Sequence, residues 1–324
     1  MEARYVRLSM SSTQPACPAK DPYGREVRSM RLSVTQRCDF ACSYCHREGQ
    51  SPSTREMSPN EIGRIVAVAA SSGVRKVKLT GGEPLLREDI TEIVGKVSPQ
   101  VAELSLTTNG SRLSSLAKGL HEAGLRRVNV SLHSLNRDTF SRLCGADLSQ
   151  QVRMGVVAAV SSGLNPVKVN MVVLKGENEQ EIEQMMEFCS RVGAILQLIE
   201  YETTREGARS VQFASLHFPL DQIEDAFSKE ALEITENELH RRRRYLMRAN
   251  GGSVTVEVVR PMHNTEFCSN CTRIRMTSDG LLKPCLLDPS GTVDMLTPMR
   301  GGASDEELKA LFSKAVANRR PYWR

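Results

Sequence analysis

A chain of 324 residues, 40% of them hydrophobic, can build one large α/β domain or two ordinary ones, which excludes a disordered polypeptide. Its net charge of +5 suits an anionic ligand but is too small and too evenly spread to indicate nucleic acid. No run reaches the roughly eighteen apolar residues that a membrane span needs. Met1 to Lys20 lacks the charged start and apolar centre of a signal peptide, so the cytoplasm is the expected compartment. There, nine cysteines serve as metal ligands or buried thiols rather than as disulfides.

Residues 1–20 carry no periodicity and read as a tail. The first strand is expected over Arg31 to Thr35, and just past it Cys38, Cys42 and Cys45 fall within eight residues. A loop folds such thiolates onto one small metal centre more easily than into disulfides. A ferredoxin cluster or a structural zinc site takes four protein ligands; three leave one metal position open, the mark of a catalytic centre. A three-cysteine zinc knuckle completed by His46 is the alternative.

Units of strand, loop and helix then recur about every thirty residues, the rhythm of parallel α/β architecture. Ser58-Pro59-Asn60-Glu61 is a capping box opening a helix, and strands are expected at Lys76 to Thr80, Glu103 to Thr107, Arg127 to His133, Val167 to Leu174 and Ala194 to Tyr201. The intervening helices are Asp89 to Val97, Leu113 to Ala123, Gln151 to Ser162 and Asn178 to Val192. These strands alternate in an unusual way. Val128, Val130 and Leu132 oppose Asn129, Ser131 and His133, and the same split sets Arg31, Lys78 and Lys168 against apolar neighbours. A parallel sheet covered on both faces reads as nearly continuous hydrophobic residues. A polar inner face points instead to a barrel holding a polar ligand, and six units predict an open three-quarter (βα)6 barrel. Cations buried there call for a polyanion, unless carboxylates such as Glu103 or Glu200 pair with each of them.

Chemistry in this architecture sits in loops at the carboxyl ends of the strands. The cysteine loop, Thr80-Gly81-Gly82-Glu83-Pro84 and Thr107-Thr108-Asn109-Gly110 all fall there, and the glycine pair lets backbone approach a ligand closely. From Thr203 to Asn250 the pattern loosens. A helix is expected over Leu220 to Phe227, and Arg241 to Arg244 reads as the solvated face of another helix or a dimer contact rather than an RNA platform. A strand over Ser253 to Val259 precedes Cys268-x2-Cys271-x13-Cys285, a second trio with a hairpin at Asp279-Gly280. His263 would complete a Cys3His zinc site there, and on spacing alone zinc and an iron cluster are even. Arg273 and Arg275, two apart on one strand, add two cations to one face and favour the cluster. Cys17, Cys144 and Cys189 show no partner spacing. A helix over Asp305 to Val316 closes the chain, giving a predicted division into a tail (1–20), a partial barrel (21–202) and a C-terminal α+β extension closing its mouth (203–324).

The run Cys38-x3-Cys42-x2-Cys45, with Tyr44 before the last thiolate, resembles the signature of radical S-adenosylmethionine enzymes. The segment from Asp21 to Leu287, above all CSNCTRIRMTSDGLLKPCLL, resembles the GTP 3',8-cyclase family that begins molybdenum cofactor biosynthesis. That resemblance implies two [4Fe-4S] clusters, one on Cys38, Cys42 and Cys45 and one on Cys268, Cys271 and Cys285. It implies that Tyr44, Gly82 and Ser131 contact S-adenosyl-L-methionine, and that Arg31, Lys78, Thr107, Lys168, Arg273, Ile274 and Arg275 line the GTP site. It implies a 5'-deoxyadenosyl radical that takes the 3'-hydrogen of GTP, after which the ribose carbon attacks C8 of guanine. Arg31, Arg273 and Arg275, with the first trio, are the expected catalytic set. An external one-electron donor and hand-over of product to the cyclic pyranopterin monophosphate synthase are implied as partners. A homodimer is allowed; membrane and nucleic acid are not expected. A peptide-modifying radical enzyme with an auxiliary cluster is the alternative. The sequence departs from the family at Lys78 (commonly arginine), His133 (commonly aspartate) and Glu202 (a methionine), and it ends without a terminal Gly-Gly.

Overall fold

The computed structural model describes residues 18–237, 242–262 and 264–322. Where apolar residues alternate with polar ones, strands form; where they recur at helical spacing behind a cap, helices do. The six predicted strands are β1 (Ser29–Ser33), β2 (Lys76–Thr80), β3 (Glu103–Thr108), β4 (Arg127–Ser131), β5 (Val167–Val173) and β6 (Ile195–Glu200), paired in that order and all parallel. The helices among them are α1 (Pro59–Ser71), α2 (Ile90–Val97), α3 (Leu113–Glu122), α4 (Arg137–Cys144), α5 (Ser149–Ser161) and α6 (Ile182–Val192). The reciprocal bonds of the capping box are formed, Ser58 accepting from Glu61 N–H and Glu61 from Ser58 N–H. Helix α4 escapes the sequence reading because its buried face is short, made of Phe140, Leu143 and Cys144, and what starts it is the Asn136 side chain accepting from two backbone N–H groups.

Beyond β6 come α7 (Val211–Leu216), α8 (Asp221–Glu230), β7 (Glu233–Asn237), β8 (Arg242–Ala249), β9 (Gly252–Val259), α9 (Thr265–Ser269), β10 (Arg273–Met276), β11 (Leu281–Lys283), β12 (Val293–Asp294), α10 (Leu296–Arg300) and α11 (Asp305–Ala317). The arginine run is therefore strand, not the expected helix. Arg243 to Ala249 pair antiparallel with β9 or β7, and Tyr245 and Met247 are buried on one face. Arg241 lies outside the described residues.

The six-unit barrel gains two further parallel strands from the C-terminal part, β10 against β1 and β9 against β6. The sheet order is β12-β11-β10-β1-β2-β3-β4-β5-β6-β9-β8-β7, so eight parallel strands stand side by side with an antiparallel hairpin at each edge. Among the described residues the ends do not hydrogen-bond to each other, and the barrel stays open as predicted. Leu32, Leu79, Leu106, Val128, Val130 and Val169 are fully buried under the helices, which leaves their polar neighbours to the inner face.

Candidate functional site

The inner face bounds a cavity of about 420 Å³. On its wall are Cys38, Cys42, Cys45, Cys268, Cys271 and Cys285, together with Tyr44, Gly82, Ser131, Arg31, Lys78, Thr107, Lys168, Arg273 and Arg275. Ile274 is the exception. Strand alternation turns its side chain away from the arginines on either side, and it is fully buried in the core. Register explains how cations from distant sequence meet: Arg275, Arg31, Lys78 and Ser105 are neighbours in one row across β10, β1, β2 and β3. Neighbouring strands are about 4.8 Å apart, so the row packs three cations side by side.

Two of these cations share one carboxylate. Arg31 reaches Glu48 at 3.3 Å and Arg275 reaches it at 2.5 Å, while Thr80 donates its hydroxyl at 3.0 Å. Burial pushes the Glu48 carboxyl up, but Arg275 and Arg31 outweigh it and hold it down at about 2. Lys168 meets Glu257, which also accepts from Gln197 and Arg244. The carboxylates that pair with Arg31, Arg275 and Lys168 are thus Glu48 and Glu257. Of the two expected, Glu103 pairs with Arg127 and Lys76, and Glu200 with His217. Lys78 donates to Asn129 at 2.9 Å, and among the described residues no carboxylate lies within 4.0 Å of it. Burial drives its pKa well below the ordinary value, and the charges of Arg31, Arg127, Arg273 and Lys168 push the same way. An anion arriving there would favour the charged lysine.

The thiols fit an iron–sulfur cluster by their donor chemistry. No three His, Cys, Asp or Glu side chains among the described residues converge closely enough to hold one metal ion. Six free thiols nevertheless line one cavity in two trios. Backbone N–H groups already point at sulfur, Phe40 to Cys38 at 3.5 Å and Arg47 to Cys45 at 3.4 Å, as thiolate ligands require. Burial raises the Cys271 thiol, yet Arg273, Arg319 and Arg25 lower it further, so the thiolate is favoured. His46 spends its Nδ1 on the Glu48 N–H. His263, the ligand of the zinc alternative, lies outside the described residues, as does Cys17. Cys189 is core.

The glycine pair has a local cause. A Cβ on Gly82 would sit 2.2 Å from the Arg37 carbonyl oxygen, and one on Gly81 would sit 2.5 Å from that of Thr35. The backbone they admit is thus that of Thr35 to Arg37, between β1 and the cysteine loop. Glu83 is fully buried and accepts from the Thr108 hydroxyl and from Asn109 and Leu85 N–H, so it fixes the turn after β3. Burial lifts its carboxyl to about 7 against those donors.

Other residues on the wall or packed against it carry no sequence motif. Cys144 ends α4 with its sulfur 3.8 Å from the Tyr44 hydroxyl, and its bond to Cys42 is the main reason that the Cys42 thiol lies at about 7. His133 stands edge-on to Tyr44, with ring centres 4.8 Å apart, and accepts from Val172 N–H. Arg319 is buried against Asp21 at 3.0 Å and donates to the Cys271 carbonyl at 2.6 Å. Glu202 lies on the wall, where its charge favours the charged form of Arg31.

Residues 32–189 match the Radical SAM superfamily and residues 194–324 match Molybdenum Cofactor Synthesis C. A "Probable GTP 3',8-cyclase" of Thermococcus kodakarensis is 51% identical over 94% of this chain and 99% of its own length. The chain belongs to the GTP 3',8-cyclase family of radical SAM enzymes. A second member, from Pyrococcus abyssi, is 50% identical over the same shares of both chains. Among solved structures, Streptococcus suis SuiB bound to precursor peptide SuiA has a TM-score of 0.61 at 16% identity, which is a likeness of fold. It covers 82% of this chain, which spans 61% of the SuiB chain. Radical SAM membership implies a four-iron cluster and S-adenosylmethionine. Among the described residues no helix is long and apolar enough to cross a membrane.

Proposed function

We propose that this chain converts GTP to 3',8-cyclo-7,8-dihydro-GTP in the cytoplasm, the first step of molybdenum cofactor biosynthesis. Cys38, Cys42 and Cys45 would hold one [4Fe-4S] cluster in a barrel of residues 21–202, and Cys268, Cys271 and Cys285 a second in the extension of 203–324. When bound, the first cluster and S-adenosylmethionine supply a carbon radical that abstracts a hydrogen atom. The chain's own residues do the rest by position. Tyr44, Gly82 and Ser131, on the same cavity wall as the first trio, would seat S-adenosylmethionine. Arg31, Lys78 and Arg275 would grip the triphosphate, with Lys168 and Thr107 farther along the wall. Arg273, beside Cys271, would keep the guanine end near the second trio. Substrate held on both sides excludes water from the radical step. An external one-electron donor would start the cycle, and a cyclic pyranopterin monophosphate synthase would take the product.

The observation that carries this reading is the shared wall: two cysteine trios and a row of three cations open onto one cavity. Anaerobic incubation with S-adenosylmethionine, dithionite and GTP tests it. The expected result is 5'-deoxyadenosine formed in step with GTP consumption; formation that does not depend on GTP would contradict it.

A further inference from the structure

The segment joining the first cysteine loop to the helical layer carries an unusual backbone. Arg47 and Glu48 have φ of 48° and 51°, and they are the non-glycine residues with positive φ among those described. A left-handed backbone strains a residue that carries a Cβ, so something must hold the segment there. Two things do. The Glu48 carboxylate is fixed by Arg31, Arg275 and Thr80. Gly49, next in the chain, has its carbonyl bonded by Lys283, and a Cβ on it would lie 2.6 Å from the Leu286 carbonyl, which adjoins Cys285. Glu48 is therefore tied by sequence to Cys45, by ion pairs to the cationic row, and through Gly49 to the loop of Cys285.

We propose that Glu48 is a positioning residue of the nucleotide site, a carboxylate that trades anion affinity for geometry. Its charge lies between two guanidiniums that, on the function proposed above, also bind the triphosphate. A negative charge there opposes every phosphate that enters. In exchange it holds Arg31 and Arg275, from strands brought together only by the C-terminal part, at one fixed separation between the two cysteine trios. A carboxylate kept for packing alone would influence binding and turnover in the same direction. One kept for this exchange influences them in opposite directions.

The test uses the anaerobically reconstituted enzyme with S-adenosylmethionine present, titrated with GTP and, separately, with inorganic tripolyphosphate. Glu48→Gln keeps shape and removes charge. It is expected to bind both about tenfold more tightly and to form 5'-deoxyadenosine at least tenfold more slowly, with iron content unchanged. Thr80→Val removes a hydroxyl donor to Glu48 and leaves the carboxylate charge in place. It is expected to slow turnover without any gain in affinity. Unchanged or weaker GTP binding by Glu48→Gln, or the same behaviour from both variants, would overturn the proposal. Failure of the wild-type enzyme itself to bind GTP or tripolyphosphate would instead overturn the function on which it rests.

Discussion

Lys168 donates to both oxygens of Glu257, at 2.5 and 2.6 Å, with both side chains almost fully buried. Burial nonetheless leaves Lys168 at about 8, because the carboxylate only partly offsets desolvation and nearby Arg127 and Arg244 oppose its charge. Breaking a buried pair by removing one partner costs about 3–5 kcal/mol, since the other is left uncompensated. Glu257→Ala strands Lys168 and Arg244 together and is expected to reach that range in urea unfolding. Lys168→Ala leaves Glu257 paired with Arg244 and is expected to cost less.

The glycine pair predicts a steric effect. Gly82→Ala drives a methyl group into the Arg37 and Gln36 carbonyls, at 2.2 and 2.5 Å, on the approach to Cys38. Cleavage of S-adenosylmethionine is expected to fall by at least tenfold. Gly95→Ala, in α2 with nothing within 4 Å, is the control and is expected to stabilise by about 0.5–1 kcal/mol.

Glu83 predicts a pH effect. Its folded-state value of about 7 is above the ordinary 4.5, so between these pH values the folded chain binds more protons than the unfolded one. Its contribution is complete below 4.5 and is lost as pH rises through about 7. From pH 7.5 to 5.5 the wild type is expected to gain stability on the order of 2 kcal/mol relative to Glu83→Gln, measured by urea unfolding.

His133 predicts the opposite slope. Burial holds it at about 3 against an ordinary 6.5, so between those values the unfolded chain binds the extra proton. Its contribution is present above 6.5 and shrinks as pH falls toward 3. Relative to His133→Asn, the wild type is expected to lose on the order of 2 kcal/mol from pH 7 to 5. The two linkages nearly cancel in the wild type, so each becomes visible only against its own variant.

Much of this site was legible because period-two alternation and cysteine spacing are local signals. Arg31, Lys78 and Lys168 stood out as polar residues on strands that ought to be apolar, and Arg273 and Arg275 as neighbours of a cysteine trio. Partnership was not legible. Glu48 lies 227 residues from Arg275, and Glu257 lies 89 from Lys168; only the parallel pairings of β10 and β9 bring such residues together. The arginine run misled for a related reason. Charge on one face is compatible with helix or strand, and only pairing with β7 and β9 decided between them. Ile274 lies between two wall residues in sequence, and the same alternation that exposes them buries it.

The central claim is that both cysteine trios serve one nucleotide cavity. It is tested most directly by electron paramagnetic resonance on a protein in which Cys38, Cys42 and Cys45 are replaced by alanine, so that Cys268, Cys271 and Cys285 hold the remaining iron. About four irons per chain and a reduced-state signal that shifts when GTP is added are predicted. Loss of all iron, or a signal indifferent to GTP, would contradict it.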